Sequence, residues 1–413
     1  MILHVACLPF PSPQGTQAAL ASMLRASAQA GRETHLLTYA HGAHSVDTPY
    51  RVHRLLDLPR VRSLRSGPSW GKLLLDAQAV LAIRRLARRL RPEAIVAHHV
   101  EAALSATAAG VGPIYYFAHT TLEQELGVYF PRALGPAMSA VGYLLDRASC
   151  LRVRGVGAVS PSLAKRVDER ARYLPVPWPP IGETAEQEAA RDALGLRKEA
   201  KLCLYAGNLD RYQGWEDLIE ALRLLRQTEP KTRLLIASES DPSKARRTAM
   251  RLGVGATVDF RRLDDERARS LVHAASDVAW IPRRTVGGLP IKMLDAFGRG
   301  LPVVATERAT AGLPVLDVCC VVPNEAPQAL AEATERLLQD SESRARLREQ
   351  GLDYLKSRHS DRAYLAALDA LIEGHTARAA SASCTGTPSP LSSSASHHRN
   401  SSCSSVRTTS PRR

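Results

Sequence analysis

Short apolar runs alternate with longer amphipathic stretches from the first residues onward. Ile2 to Leu8, Glu33 to Tyr39, Val52 to Leu55, Glu93 to His99, Pro113 to His119 and Val156 to Ser160 read as strands. Between them, Thr16 to Ala30, Trp70 to Leu90, Glu101 to Ala109 and Pro131 to Asp146 read as helices. Repeated strand–helix units predict a doubly wound parallel sheet, an α/β architecture. The rhythm breaks at Leu174-Pro175-Val176-Pro177-Trp178-Pro179-Pro180, where proline density disfavours helix and central strand alike. It restarts at Lys201 to Ala206 and continues through Arg233 to Ala237, Thr257 to Phe260, Val278 to Pro282, Pro302 to Ala305 and Val318 to Val322. The expected organisation is a lobe over 1–174, a proline-rich linker over 175–190 and a second lobe over 191–374, whose last helix packs back on the first lobe. Residues 375–413 are rich in Ser, Thr and Pro, with too few large apolar side chains to offset their ordering entropy, and are expected to be disordered.

Composition fits this picture. The chain has 413 residues, of which 45% are hydrophobic and only 5% aromatic, so Leu, Ala and Val must fill two sizeable cores. Seven cysteines, odd in number and without a CxxC pair, indicate neither a disulfide framework nor a zinc ribbon. No apolar run reaches the roughly 20 residues of a membrane helix, and Met1 to Pro9 lacks a basic n-region and a cleavage site. The expected location is cytoplasmic, with membrane contact at most peripheral, at the inner face of the plasma membrane.

The net charge of +14 is concentrated. Eleven basic residues lie between Arg51 and Arg91, opposed only by Asp57 and Asp76. Arg84, Arg85, Arg88 and Arg89 share helical spacing, with Leu81, Leu86 and Leu90 marking a neighbouring apolar stripe. Such a surface suits anionic lipid headgroups; a plain solvated helix face is the other reading. No helix-turn-helix, zinc-finger or RNP signature supports nucleic acid.

Three strand-to-helix turns carry candidate chemistry. Pro13-Gln14-Gly15-Thr16-Gln17 follows the first strand; its glycine allows close backbone approach, and the helix N-terminus favours negative charge. Tyr205-Ala206-Gly207-Asn208-Leu209-Asp210-Arg211-Tyr212-Gln213-Gly214 follows the first strand of the second lobe, where Arg211 would turn its fork of donors into the cleft toward a diphosphate. Pro282-Arg283-Arg284-Thr285-Val286-Gly287-Gly288-Leu289-Pro290-Ile291-Lys292-Met293-Leu294-Asp295 is the most informative. Its glycine pair leads into a proline suited to a helix start. Lys292 and Asp295, three apart, share a face, so Lys292 and the helix dipole would hold phosphate and Asp295 sugar hydroxyls. The absence of GxGxxG disfavours a nicotinamide enzyme.

These turns, with the following "GLPVVAT", "YAGNLDRYQGWEDLIEAL" and "PFPSPQGTQAALASMLRASAQAG", resemble family-4 glycosyltransferases, over about Met1 to Gly374. The resemblance implies the GT-B fold: two facing Rossmann-like doubly wound domains with an interdomain cleft. It implies transfer of a sugar from a nucleotide-diphosphate donor, as co-substrate and without other cofactor, to a saccharide or lipid-linked acceptor. Retention and metal independence are implied too, and no DxD motif occurs. Arg211, Lys292 and His119 then take catalytic roles. Gly15, Thr16, Gly207, Asn208, Gln213, Gly287, Gly288, Leu289, Pro290 and Asp295 take donor-binding ones.

The chain departs from the family pattern. Asn208 and Gln213 stand where the family commonly has Arg and Lys, and Gly287 and Asp295 where it commonly has two Glu. A subgroup with GxPxK and an acidic residue three positions on fits Gly288, Pro290, Lys292 and Asp295. His119 lies where related enzymes place a cleft histidine; structural and metal roles are its alternatives, and for His98 and His99 the structural role leads. The rival readings of the whole chain are a sugar-nucleotide epimerase, a non-catalytic sugar-nucleotide-binding homologue and a basic scaffold.

Overall fold

The structure, a computed structural model, describes residues 1–12, 14–42, 47–58, 70–131, 133–181, 185–263 and 265–383. Pro13, Arg60, Arg62, Arg65 and most of the expected tail lie outside the described residues.

The first lobe contains strands β1 (Ile2–Ala6), β2 (Thr34–Thr38), β3 (Arg51–Arg54), β4 (Ala94–His98), β5 (Ile114–Ala118), β6 (Gly155–Ala158) and β7 (Arg172–Tyr173). Its helices are α1 (Gly15–Gln29), α2 (Trp70–Leu90), α3 (His99–Ala109), α4 (Leu122–Glu125), α5 (Gly135–Cys150) and α6 (Pro161–Val167). The second lobe contains β8 (Lys201–Ala206), β9 (Thr232–Ala237), β10 (Val258–Arg261), β11 (Val278–Ile281), β12 (Val303–Thr306) and β13 (Cys320–Val322). Its helices are α7 (Gln187–Ala193), α8 (Trp215–Thr228), α9 (Ser243–Arg251), α10 (Glu266–Ala275), α11 (Ile291–Gly298), α12 (Glu307–Thr310), α13 (Pro327–Gln339) and α14 (Ser341–Arg358). Helix α15 (Asp361–Ser383) follows.

Both sheets are wholly parallel, ordered β3-β2-β1-β4-β5-β6-β7 and β10-β9-β8-β11-β12-β13. Helices cover both faces of such sheets, which is why β1 and β4 are buried at every position. Each order reverses once, between β1 and β4 and between β8 and β11, and ligands of doubly wound sheets bind at these switch points. Met1–His375 form one unit holding both sheets.

Helix α8 shows how the pattern becomes structure. Leu218, Ile219, Ala221, Leu222 and Leu225 form its buried stripe, Glu216 and Asp217 complement the dipole in its first turn, and Gly214, at φ +69°, supplies the left-handed entry. Helix α2 corrects one expectation. Its inward stripe is Leu75, Ala79, Ile83 and Ala87, whereas Leu81 is 69% exposed. Leu81 lies about 200° round the helix from Ala79, so it cannot share that face.

The proline-rich segment is clamped from both sides. Trp178 N–H donates to the His359 carbonyl at 2.7 Å, His359 Nδ1 meets the Val176 carbonyl at 2.7 Å, and Ser22 Oγ donates to the Pro177 carbonyl. Helix α15 then returns to the first lobe: Arg32 pairs with Asp369 at 2.6 Å and Tyr115 Oη donates to the Ile372 carbonyl at 3.2 Å.

Candidate functional site

A cleft of about 1560 Å³ opens where the carboxyl ends of the two sheets face one another. Its second-lobe wall is built from the turns after β8 and β11. Residues Arg211–Gln213 form a single 3₁₀ turn, which carries Tyr212 and Gln213 into the wall and leaves Arg211 exposed. Arg211 therefore does not line the cleft, contrary to expectation. Arg283, the second residue after β11, does line it. Its Nη1 donates to the Gly288 carbonyl at 3.0 Å, while its Nε is buried without a partner. Burial lowers its pKa, but a guanidinium keeps its proton at physiological pH.

Lys292 stands in the first turn of α11, after Pro290 at the N-cap. Its Nζ donates to Gln213 Oε1 at 2.6 Å and to Tyr205 Oη at 3.3 Å, and lies 4.5 Å from the Tyr205 ring centroid. Burial and the nearby Arg283 guanidinium lower its pKa to about 7. Among the described residues no carboxylate is bonded to it, so an incoming anion is the natural partner for its charge. Gly207 makes room here: a Cβ on it would stand 3.4 Å from Lys292 Nζ.

Asp295 lines the same cleft but is heavily engaged. It meets Arg299 Nε at 3.1 Å, Arg269 Nη1 at 3.3 Å and His273 Nε2 at 3.6 Å. Burial pushes its pKa up, yet His273, Arg299 and Arg269 outweigh that and hold it below the ordinary carboxylate range. Any ligand hydroxyl reaching Asp295 must share it with these groups.

The first-lobe wall comes from the turns after β1, β4 and β5. Gly15 and Thr16 line the cleft at the start of α1, and a Cβ on Gly15 would stand 3.6 Å from Ile291 of α11. His119 also lines it and heads a buried row. Its Nε2 lies 3.0 Å from His98 Nδ1, and His98 Nε2 lies 3.0 Å from His4 Nδ1. Burial and neighbouring imidazoles lower the pKa of His98 and His119 well below the ordinary value, and burial lowers that of His4 to about 3, so the row is neutral. His99 stacks on His119 with centroids 4.8 Å apart and holds the left-handed backbone at φ +69°, a strained conformation for a side-chain-bearing residue. Among the described residues, no three His, Cys, Asp or Glu side chains form a metal-binding group.

The two walls nearly touch at Gly288, where a Cβ would lie 2.3 Å from the His119 carbonyl oxygen. Gly288→Ala must push the glycine loop away from the first-lobe wall. We expect any reaction housed in this cleft to slow by about 10²-fold, as for other small displacements of positioned groups. Circular dichroism should show the fold retained.

The structure thus brings Lys292, Gln213, Gly207, Asn208, Gly288, Leu289, Pro290, Asp295, Gly15, Thr16 and His119 to one cleft. Gly287 lies beside it, lining a smaller recess with Arg283 and Glu125. Arg283 and Tyr205 were not singled out from the sequence; the position of Arg283 at the end of a switch-point strand was the available signal.

Comparison with known proteins bears on the family and the fold. The model of glycosyl transferases group 1 matches residues 186–353, and that of Glycosyltransferase Family 4 matches residues 13–178. The chain belongs to the family-4 glycosyltransferases. A D-inositol 3-phosphate glycosyltransferase of Corynebacterium aurimucosum is 28% identical to this family-4 chain over 178 residues, 40% of the chain and 42% of that relative. One from Corynebacterium glutamicum is 26% identical over 189 residues, 43% of the chain and 44% of the relative. The matches thus span less than half of those relatives. Among solved structures, sucrose-phosphate synthase from Thermosynechococcus elongatus has a TM-score of 0.75 at 18% identity, covering 92% of this chain and 99% of that one. WaaG, a glycosyltransferase involved in lipopolysaccharide biosynthesis, has 0.68 at 18%, covering 90% and 99%. Anabaena Alr3699/HepE, in complex with UDP and glucose, has 0.66 at 16%, covering 92% and 99%. The two lobes together therefore have the GT-B fold.

Proposed function

We propose that this protein transfers a sugar from a nucleotide-diphosphate donor to a saccharide or lipid-linked acceptor. The observation that supports this most is the convergence of Lys292 and the unpartnered Arg283 Nε at the N-terminus of α11, opposite His119. Negative charge grows on the leaving diphosphate as the bond between it and the sugar C1 breaks. Two cations and a helix N-terminus already aimed there stabilise that charge with little reorganisation. In the proposed step the acceptor oxygen bonds to C1 on the same face, and its proton passes to the departing diphosphate. The configuration is retained and no protein nucleophile is required. His119, neutral and at the cleft wall, hydrogen-bonds the sugar. Asp295 binds donor hydroxyls while Arg269 and Arg299 hold it. The reaction uses neither a metal nor a cofactor beyond the donor. The product enters a cell-surface polysaccharide or glycolipid at the inner face of the plasma membrane.

A panel of UDP-, ADP- and GDP-sugars tests the donor site by thermal shift. One of them should raise the melting temperature, because a ligand at 100 times its Kd stabilises the folded state by about 2.7 kcal/mol. No shift with any nucleotide sugar would reject the reading. Product NMR and activity in EDTA check retention and metal independence. Gly287, standing where the family commonly has Glu, favours a second reading, a homologue that binds the donor without transferring it. That reading predicts the same thermal shift with the donor intact after long incubation with acceptors.

A further inference from the structure

Helix α5 is built inside out. The residues it buries are Gly142, Asp146, Ser149 and Cys150, small or polar. Those it turns to solvent include Val141, Tyr143 and Leu144, the last 65% exposed; Leu151, just past its end, is 78% exposed. Gly142 explains the inner face: its Cβ would lie 2.4 Å from the Leu122 carbonyl oxygen, so α5 rests against the α4 backbone. Nothing in that packing calls for leucines outside. A surface helix ordinarily has the reverse pattern.

Helix α2 buries an ordinary apolar stripe but also exposes leucines. Leu73, Leu74 and Leu81 are exposed, and the arginines at 84, 85, 88 and 89 follow them on the outside. Each helix has a single carboxylate, and both are directed inward. Asp76 accepts from Tyr39 Oη at 2.7 Å, and Asp146 accepts from the Leu122 and Glu123 backbone N–H groups at 3.0 and 2.9 Å. The outer faces of α2 and α5 therefore carry large apolar groups and arginines but no acid. The connections β3–α2–β4, β4–α3–β5 and β5–α5–β6 step the same way across the sheet. Right-handed crossovers put these helices on one side of it, with α3 packed against both α2 and α5.

We propose that this side of the first lobe docks on an anionic lipid bilayer, with the leucines entering the interface and the arginines pairing with lipid phosphates. Positive charge without exposed acid matches an anionic surface, and exposed leucines between the charges match hydrocarbon rather than a phosphodiester backbone. The apolar face continues through Val128 and Tyr129, and Tyr129 lines the cleft. A lipid-linked acceptor would thus enter from the membrane side. That last step rests on the transfer reading; the docking does not.

The test is co-sedimentation of the full chain with vesicles of phosphatidylcholine alone and with about 30% phosphatidylglycerol. Binding should require the anionic lipid, and salt should weaken it without abolishing it. Leu144→Glu/Leu151→Glu and Arg85→Glu/Arg88→Glu should each lower partitioning by about tenfold or more, with melting temperature and transfer to a water-soluble acceptor unchanged. Wild-type partitioning in both double variants would overturn the proposal, as would a wild-type chain that ignores anionic vesicles. A dimer in sedimentation equilibrium that Leu144→Glu/Leu151→Glu converts to monomer would also overturn it, since a second copy would then cover the face. Docking as described with no turnover of any donor would reject the transfer reading alone.

Discussion

Replacing Lys292 with methionine is expected to lower glycosyl transfer by about 10²–10³-fold, the usual cost of removing one preorganised donor to a developing anion. The substitution keeps most of the side-chain volume but removes the Nζ that bridges Gln213 and Tyr205. The fold should not suffer. The folded-state pKa is lowered from 10.5 to about 7, so between those values the unfolded chain binds more protons and stability rises with pH. Below about pH 7 the full cost of burying the ammonium is present, so Lys292→Met should raise the melting temperature there. Loss of activity with gained stability identifies a residue kept for chemistry rather than packing. Donor binding should show the linked effect. An arriving diphosphate favours the charged lysine, so affinity should fall as pH rises above about 7, and binding there should take up a proton. A donor Kd independent of pH from 6 to 9, or wild-type rates in Lys292→Met, would exclude this role.

Arg283→Met is expected to cost about 10²-fold in kcat/KM, and Arg283→Lys to restore little, because a point charge does not reproduce the planar fork. Arg283 Nη1 is anchored to the Gly288 carbonyl, and its buried Nε has no partner among the described residues. Glu125 faces this guanidinium, and burial already raises its carboxyl pKa above the ordinary range. Losing Arg283 removes the positive charge that opposes this rise. The electrostatic loss should therefore fall on donor Kd, measured by calorimetry, as well as on the rate. Arg211→Ala is the informative control and should stay near the wild-type rate.

That contrast shows where sequence reasoning stops. Both lobes are legible because parallel strands buried on both faces are short, continuous apolar runs, as in Ile2–Ala6 and Lys201–Ala206. Helix α11 and its lysine are legible from Gly-Gly-Leu-Pro. The choice between Arg211 and Arg283 is not, because the direction of a side chain on a three-residue 3₁₀ turn depends on neighbours that periodicity does not describe. The inverted face of α5 is hidden for a related reason. Its apolar residues have helical spacing whichever way they point, and only the close approach of Gly142 to α4 shows which side is inside. The engagement of Asp295 by Arg269, Arg299 and His273 depends on how α10 meets α11.

The buried imidazole row sets the hydrogen-bonding character of the cleft wall at His119. A neutral imidazole carries one ring proton, so each ring in the row donates at one nitrogen and accepts at the other. Choosing the tautomer of one ring therefore fixes all three. His4 Nε2 has no partner in the core, and an orphaned N–H is the rarer outcome in a protein interior. The proton of His4 thus belongs on Nδ1, shared with His98. His98 in turn donates to His119, whose own proton is left on Nδ1. The hydrogen-bonding sense of the ring that lines the cleft is decided two strands away, at the fourth residue of the chain.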